Sequence, residues 1–347
     1  MCRNTLILIM LLTLASCDHK EVCLVDDSSA GRYVTDIAIT YEPAWELPYE
    51  NHTDWKGQWD GLAMGFGYDA LRPSLPEGIR MKAYNVNGNH IETNMPASGE
   101  DTYITPGENA LLFYNNDTEF IVFNDMDSYR DASVTTRNRY RSSYTGNPCY
   151  TPSRKNIDGG NGEMTVSAPD VLFCNYIDSY VQTDESRCRQ LGITMRPLVF
   201  TYVVRYYFAE GYEHVALARG ALAGMAGAVS LHDGHTSDRA VTVLYDCTLE
   251  PWGIQAVVRS FGIPDFPNPS YWPGRDDFAL SLEVRLTNGK ILNFYFNVTD
   301  QMSLQPRGGV ITVDGIRISD VESDPGNSGF DVSVDGWGEF EDVSIAF

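Results

Sequence analysis

Basic residues are scarce in this sequence, and long apolar runs are absent beyond its first seventeen residues. Its 347 residues include 25 lysines and arginines against 47 aspartates and glutamates, which gives a net charge of −22. Binding to nucleic-acid phosphates or to anionic lipid needs clustered basic residues, so the composition disfavours both partners. No later segment has the roughly 18 consecutive apolar residues that a membrane-spanning helix needs, so nothing else is expected to cross a membrane.

The motifs of common catalytic and metal sites are also missing. The seven cysteines include no C-x-x-C pair, which argues against a zinc knuckle or a thioredoxin-like motif. No G-x-S-x-G elbow follows a strand, and nothing singles out one cysteine as a nucleophile. His232 and His235 flank a glycine turn without a further ligand nearby, which favours a polar turn over a metal site. The sequence therefore predicts no enzyme, no bound metal and no cofactor.

The N-terminus has the pattern of an export signal. Arg3 precedes an apolar run from Leu6 to Leu14. About nine residues form a helix of roughly 13 Å, too short for a bilayer core of about 30 Å. Residues 14–17, Leu-Ala-Ser-Cys, resemble the lipobox of bacterial lipoproteins, in which the cysteine is acylated and becomes the new N-terminus. We predict a signal peptide over 1–16, lipidation of Cys17 and a tether over 17–30; the alternative is an ordinary secretory signal.

The remaining cysteines are compatible with disulfides, because export leads to an oxidising compartment. Five cysteines remain once Cys2 is removed and Cys17 is acylated, so at most two bridges form. Cys174 and Cys188 bracket a polar segment and are the first candidate pair.

From residue 31 onward the pattern is one of strands and turns. Residues 33–41 alternate between apolar and polar side chains, and Asn87-Gly88 and Asn288-Gly289 are typical hairpin turns. The loop composition of 140–164 suggests a boundary, which predicts two all-β units over 31–165 and 166–347. Small residues over 221–229 favour a short helix or tight turn, and 332–347 alternates as one or two terminal strands do.

Several short segments resemble one known family. They are Tyr-Asn-Asn-Asp-Thr-Glu at 114–119, Ala-Pro-Asp at 168–170, Leu-Ala-Gly-Met-Ala at 222–226, Phe-Gly at 261–262 and Val-Thr-Asp-Gln at 298–301. Together with the lipobox-like residues they are spread over nearly the whole chain, and they resemble, in the same order, segments of fimbrillin-like lipoproteins of Gram-negative anaerobes, the type V pilus subunit class. Residue 223 departs from the family, which has serine in that segment.

The resemblance implies two tandem transthyretin-like β-sandwiches on an exported lipoprotein. Some members polymerise by donor-strand exchange, in which a neighbour's strand completes a sheet after cleavage at a basic residue. Here Arg72 is followed by proline and is a poor cleavage site, whereas Arg32 lies before the first predicted strand. This departure favours an anchor, an accessory component or a non-pilus surface protein over a polymerising stalk subunit.

Aromatic residues are concentrated in two loops. Trp45, Trp55 and Trp59 lie among polar residues between the first two predicted strands, and Tyr271 and Trp272 lie in a second loop. Such rings suit stacking on sugars or contact with a protein partner. The alternative is that the longer insertion caps the first sandwich with its rings.

Together these features predict a lipid-anchored outer-membrane protein, exposed at the cell surface or facing the periplasm, that acts by binding and assembly. Its expected partners are the membrane, through the acyl chains of Cys17, and other pilus subunits. The alternative function is a glycan-binding surface lipoprotein of a nutrient-uptake system, and nucleic acid is not an expected partner.

Acylation of Cys17 is directly testable. In cells grown with a palmitate analogue, the mature chain that begins at Cys17 is expected to carry the label, and a Cys17→Ser variant is expected to lose it because its hydroxyl is not acylated. An unlabelled wild-type chain would contradict the predicted lipid anchor.

Overall fold

The computed structural model describes residues 33–47, 49, 53–141, 163–183, 189–268 and 278–324. Within those ranges the chain forms nineteen strands, four short α-helices and two short 3-10 helices. No helix in these ranges is long and apolar enough to span a membrane. The prediction of an all-β chain is therefore confirmed.

The strands fall into two groups along the chain. The first ten are β1 (Val34–Tyr41), β2 (Gly78–Asn85), β3 (His90–Pro96), β4 (Asp101–Tyr103), β5 (Gly107–Tyr114), β6 (Ile121–Asn124), β7 (Ser133–Thr136), β8 (Met164–Ser167), β9 (Phe173–Gln182) and β10 (Arg189–Pro197). The other nine are β11 (Phe200–Glu210), β12 (Val215–Ala226), β13 (Ala228–Ser230), β14 (Ala240–Asp246), β15 (Thr248–Glu250), β16 (Gly253–Ser260), β17 (Ala279–Leu286), β18 (Ile291–Asn297) and β19 (Gly309–Arg317).

The helices are brief and lie in the connections. They are α1 (Trp55–Gln58), α2 (Gly61–Met64), α3 (Thr299–Ser303) and α4 (Asp320–Ser323), with 3-10 helices at Tyr68–Leu71 and Tyr212–His214. Asp60 begins α2 by accepting hydrogen bonds from two backbone N–H groups of the first turn.

The first sandwich is built from one seven-stranded sheet in the order β3-β2-β5-β9-β10-β1-β4. Strands β9 and β10 pair through only two residue pairs, so the sheet divides there into two layers. Side chains from both layers, including Ile37, Met81, Phe113 and Met195, are buried together in one core. Strand β1 lies inside its layer, parallel to β10 over seven residue pairs and antiparallel to β4.

The second sandwich packs a five-stranded sheet, β18-β17-β12-β14-β8, against a four-stranded sheet, β15-β16-β11-β19. Tyr202, Leu222, Leu282 and Ile311 are fully buried between them. A third sheet, β13-β7-β6, covers the outer face of the first sandwich and shares a core with it. Because β13 follows β12 in the chain, this small sheet joins the two sandwiches. The prediction of two sandwiches is confirmed.

The strand pairing does not follow the predicted boundary at residue 165. Strands β9 and β10 come after that residue, yet they pair with β5 and β1 of the first sandwich. Strand β8, which spans the boundary, pairs with β14 of the second sandwich. The first sandwich therefore extends to Pro197. Loop composition marks where the chain leaves a sheet, whereas a unit is defined by long-range pairing that composition does not report.

The segment 221–229, which favoured a helix or turn, instead forms the end of β12 and the start of β13. Its residues are small because both faces of β12 are covered: Ala221 and Leu222, which point to opposite faces of the strand, are both fully buried. A side chain at Gly220 would overlap the ring of Tyr245 on the neighbouring strand. Close packing on two faces therefore explains the composition without a helix.

Two of the family-like segments contact one another. One carboxylate oxygen of Asp170 accepts hydrogen bonds from the backbone N–H groups of Glu119 and Phe120, at 2.7 and 2.6 Å. The side-chain oxygen of Asn115 accepts from the backbone N–H of Phe173 at 2.7 Å. These residues therefore fix the loop after β5 to the segment that enters β9, which is a structural role.

Replacement of Asp170 tests that role. Asp170→Ala is expected to lower the free energy of unfolding in urea by about 2 kcal/mol, because it removes hydrogen bonds to a charged acceptor. Asp238 is exposed, so Asp238→Ala is the matched control and is expected to stay within about 0.5 kcal/mol of wild type. Equal effects of the two variants would contradict the assignment.

Candidate functional site

An aromatic segment joins the two sandwiches after β1. We call its described residues, 42–47, 49 and 53–72, the aromatic strap. Backbone hydrogen bonds fix it to the second sandwich: Thr201 N–H donates to the carbonyl of Trp45 at 2.8 Å, and Leu47 N–H donates to the carbonyl of Arg307 at 2.9 Å. The strap therefore leaves the first sandwich at β1 and lies on the second.

The strap covers the outer face of the four-stranded sheet. Met64 packs with Val203 of β11 and Val310 of β19, and Trp55 and Trp59 pack against the same cluster. These strand residues alternate with the core side chains of β11 and β19 and so face outward. The alternative interpretation, that the insertion caps the first sandwich, is wrong, because its apolar contacts are with β11 and β19.

Trp45 is an internal residue. It exposes 1 % of its surface. Its ring lies edge-on to that of Trp59 and is tilted against that of Tyr68, with centroids 5.6 and 5.1 Å apart. A buried ring has no free face for a sugar, so Trp45 does not fit the predicted glycan platform. Its burial instead makes it the centre of the strap's packing.

Trp55 and Trp59 are half-buried, and their indole N–H groups are used inside the protein. Trp55 Nε1 donates to Gln305 Oε1 at 3.1 Å, and Trp59 Nε1 donates to the carbonyl of Phe66 at 2.9 Å. These bonds hold the strap to the second sandwich and to itself. Sugar binding by these two rings stays a prediction.

Two partly buried polar contacts complete the strap. The Tyr68 hydroxyl donates to Glu46 Oε1 at 2.7 Å, and burial together with this bond raises the pKa of Tyr68. Arg205 of β11 donates to the carbonyl of Ala63 at 2.7 Å and lies 4.0 Å from the ring centroid of Trp252. Burial lowers the pKa of Arg205.

Several predicted residues lie outside the described ranges: Cys17, Cys188, Tyr271 and Trp272. Their predicted roles in lipidation, disulfide formation and partner binding stay predictions.

The surroundings of Cys174 bear on its predicted disulfide with Cys188. Cys174 is buried, its thiol donates to the carbonyl of Leu231 at 3.3 Å, and burial raises its pKa. In the pairing of β9 with β10, Cys174 lies opposite Arg196, near the C-terminal end of β10. Arg189, the residue after Cys188, lies at the N-terminal end of β10. Seven residues of strand span roughly 23 Å, whereas bridged Cα atoms lie within about 7 Å. This register weighs against the pair, which stays a prediction.

The two histidines of the glycine turn have different neighbours. His232 Nε2 lies 2.9 Å from Asp178 Oδ1, and His235 Nδ1 lies 2.9 Å from the carbonyl of Thr236. In the part of the chain that the structure describes, no group of three or more metal-ligating side chains occurs.

Strand β18 differs from the other sheet edges. Its sequence, Ile-Leu-Asn-Phe-Tyr-Phe-Asn, has no charge, no proline and no glycine, and it pairs with β17 over its full length. Leu292, Phe294 and Phe296 pack partly against the core, while Ile291 and Tyr295 are 43 % and 38 % exposed. Within the described strands, its other edge has no partner.

Other sheet edges are protected against strand addition in ways that β18 is not. Strands β4, β8 and β15 are only three or four residues long, and β3 carries Glu92 in an ion pair with Arg80 at 2.9 Å. Short strands and charged side chains discourage strand addition, whereas a long, uncharged edge favours it. The Asn288-Gly289 hairpin turn indicates a strand here, but composition alone does not show that the strand lies at an edge.

Comparison with known proteins identifies relatives. A family model described as a domain of unknown function (DUF5119) matches residues 62–246, more than half of the chain. A protein from Bacteroides ovatus, whose name makes it a candidate fimbrium anchoring subunit, Fim4B, is 26% identical over 176 residues. That match covers 50% of this chain and 48% of the relative, so the chain spans about half the length of the curated relative it matches.

Solved structures show the same fold. A crystal structure of a candidate adhesin from Bacteroides ovatus superposes with a TM-score of 0.54 at 18% identity, covering 88% of this chain and 97% of the adhesin. The fimbrial anchor protein Mfa2 from Porphyromonas gingivalis superposes with a TM-score of 0.40 at 10% identity, covering 81% and 90%. The first likeness establishes a shared fold; the second is too weak to support an inference.

The packing role of Trp45 is testable. Trp45→Ala is expected to lower the free energy of unfolding by about 3–5 kcal/mol, the usual cost of deleting a large buried aromatic side chain. Leu62 lies in the same strap but is 97 % exposed, so Leu62→Ala is expected to change it by less than about 0.5 kcal/mol. Chemical denaturation measures the free energy of unfolding of both variants. A small effect of Trp45→Ala would show that packing of the strap contributes little to stability.

Proposed function

We propose that this chain, which belongs to the DUF5119 family, is a surface component that anchors or accompanies a fimbria. It acts by contact with another subunit and not by turnover. The name of the Bacteroides ovatus relative, a candidate fimbrium anchoring subunit, supports this assignment. So does the ordered set of fimbrillin-like segments along the chain.

An acyl anchor at the outer membrane completes the proposal. The export signal and the lipobox-like residues before Cys17 support attachment by covalent acyl chains. Each buried methylene contributes about 0.8 kcal/mol, so two or three chains hold a protein firmly without basic residues. This suits a chain with a net charge of −22, which anionic headgroups would otherwise repel.

The edge of β18 is the observation that carries the contact role. We propose that an extended segment of a neighbouring fimbrial subunit adds to β18 as a further strand. Backbone hydrogen bonds would supply affinity, and alternate apolar side chains of the partner would cover Leu292, Phe294 and Phe296. The uncharged edge makes this possible in an otherwise acidic protein.

The position of β1 favours an anchor or accessory component over a polymerising stalk subunit. Strand β1 fills the place between β10 and β4, so the first sandwich has no vacant strand position there. Arg72 lies at the end of the strap and forms an ion pair with Asp69 at 2.8 Å. Cleavage after Arg72 would leave the strap attached to β11 and β19 by its own contacts, and β1 with it.

A charge on β18 tests the contact. Tyr295→Lys places an ammonium group at the exposed face of the edge strand and is expected to weaken partner binding about tenfold or more, since ~1.4 kcal/mol gives a factor of ten. In cells, fimbriae are expected to move from the cell-bound fraction into the medium, measured by immunoblotting after gentle shearing.

The control places the same charge away from an edge. Val257 is 53 % exposed on β16, which lies between β15 and β11, so Val257→Lys is expected to retain fimbriae on the cell. Release by both variants to the same extent would contradict the β18 contact. Normal fimbriation of a strain that lacks the protein would contradict the anchoring role itself.

A further inference from the structure

The opposite side of the second sandwich ends in β19, which pairs in parallel with β11. Among the described strands β19 has no other neighbour. Val310 and Thr312 lie two residues apart, so their backbone groups point to the same side. Both residues direct their N–H and carbonyl groups to side chains on the outer edge of the sheet and not to β11. A free edge of this length is ordinarily a template for another strand.

Two glutamine side chains occupy that edge. Gln301 Nε2 donates to the carbonyl of Thr312 at 2.8 Å, and Gln301 Oε1 accepts from the N–H of Thr312 at 2.8 Å. Gln305 makes the same pair of bonds with Val310, each at 2.8 Å. A carboxamide has the donor and acceptor of a peptide group, so each glutamine takes the place of one residue of an added strand.

The spacing of the two glutamines matches the strand. Gln301 lies in α3, and Gln305 follows one turn later with its N–H bonded to the carbonyl of Met302. Four residues of helix advance about 6 Å, and two residues of strand advance about 6.7 Å. Met302 is fully buried, which fixes the helix against the core and aims both carboxamides at β19.

The aromatic strap holds the inner glutamine in place. Trp55 Nε1 donates to the same Gln305 oxygen that accepts from Val310. A side chain at Gly309 would overlap the Gln305 carboxamide and crowd the indole of Trp55. Gln305 is buried with its oxygen and nitrogen both bonded, so its conformation is fixed.

The rest of the edge is closed by other means. Asp314 is the next residue with the same orientation as Thr312, and its carboxylate is exposed. The register then shifts between Tyr206 and Phe208 of β11, opposite the part of β19 that contains Gly315 with φ 78°. Charged side chains and bulges both oppose strand addition.

We infer that Gln301 and Gln305 form a guard that closes the β19 edge to strand addition. The guard stands independently of the proposed function. If β18 binds a fimbrial subunit as proposed, the guard also restricts strand addition on the second sandwich to β18.

Replacement of Gln301 opens the guard. In Gln301→Leu the backbone groups of Thr312 lose both partners, so the Thr312 amide is expected to exchange with solvent at least tenfold faster in dilute protein. Self-association that rises with concentration is expected in analytical ultracentrifugation. Gln301→Glu keeps an acceptor for the Thr312 N–H and loses only the donor to the Thr312 carbonyl, and its charge opposes an incoming strand. It is therefore expected to keep slow Thr312 exchange and to stay monomeric.

Two further variants make the result specific. Gln58 is an exposed strap residue, and Gln58→Leu adds the same apolar group without touching β19, so it is expected to stay monomeric with normal Thr312 exchange. All variants are compared in a Tyr295→Lys background, which closes β18. In that background, self-association through β19 does not depend on whether β18 binds a fimbrial subunit.

The inference is overturned if Gln301→Leu stays monomeric at concentrations where wild type does, or if the Thr312 amide exchanges as in wild type. It is also overturned if Gln58→Leu associates equally, because added hydrophobicity alone would then explain the result. Should Gln301→Leu fail to fold, Gln301→Ala replaces it, since the smaller side chain removes the same two hydrogen bonds: an unchanged Thr312 exchange rate rejects the guard.

Discussion

Unpaired backbone N–H and carbonyl groups at sheet edges determine where another chain can add to this protein. Two sandwiches without barrel closure leave several edges, and each exposes N–H and carbonyl groups that another chain can pair with. Here the edges are short, charged, bulged or covered by glutamine carboxamides, with β18 as the exception among the described strands. In a protein that assembles by contact, closing the other edges restricts where contact occurs.

The aromatic strap connects this edge protection to the arrangement of the two sandwiches. It begins at β1 in the first sandwich, packs across β11 and β19 in the second, and reaches the Gln305 carboxamide through Trp55. One segment therefore fixes the position of β1 and supports the closed edge of β19. Its tryptophans are concentrated there because a large ring with one N–H donor can fill a packed layer and also make a polar contact.

The sequence predicted the features that depend on local pattern. Alternation in residues 33–41 and the Asn-Gly turns identified strands, and the fimbrillin-like segments indicated two sandwiches, which is the fold observed. Sequence patterns did not predict the features that depend on contacts between residues far apart in the chain. Strands β9 and β10 belong to the first sandwich through pairing with β5 and β1, and Trp45 is buried by contacts with residues of the strap and of β11. Neither relation is visible in composition.

Gln301 and the residues of β18, on which the proposals rest, also have roles that depend on distant contacts. Gln301 stood in a family-like segment without an evident role, because its function requires α3 and β19 to lie side by side. The uncharged run of β18 was readable as a strand, but its importance comes from its place at the end of the five-stranded sheet. An uncharged strand-forming run in a strongly acidic chain is the one signal that sequence reasoning had available for it.

Hydrogen exchange with mass spectrometry distinguishes a sheet edge that pairs with a fimbrial subunit from an edge that stays closed, with the chain measured alone and within isolated fimbriae. If β18 is the contact edge and β19 is closed, amides of Ile291–Asn297 exchange more slowly in fimbriae, while those of Gly309–Arg317 exchange at the same rate in both samples. New protection of Gly309–Arg317, or no change in Ile291–Asn297, would contradict this assignment of the two edges.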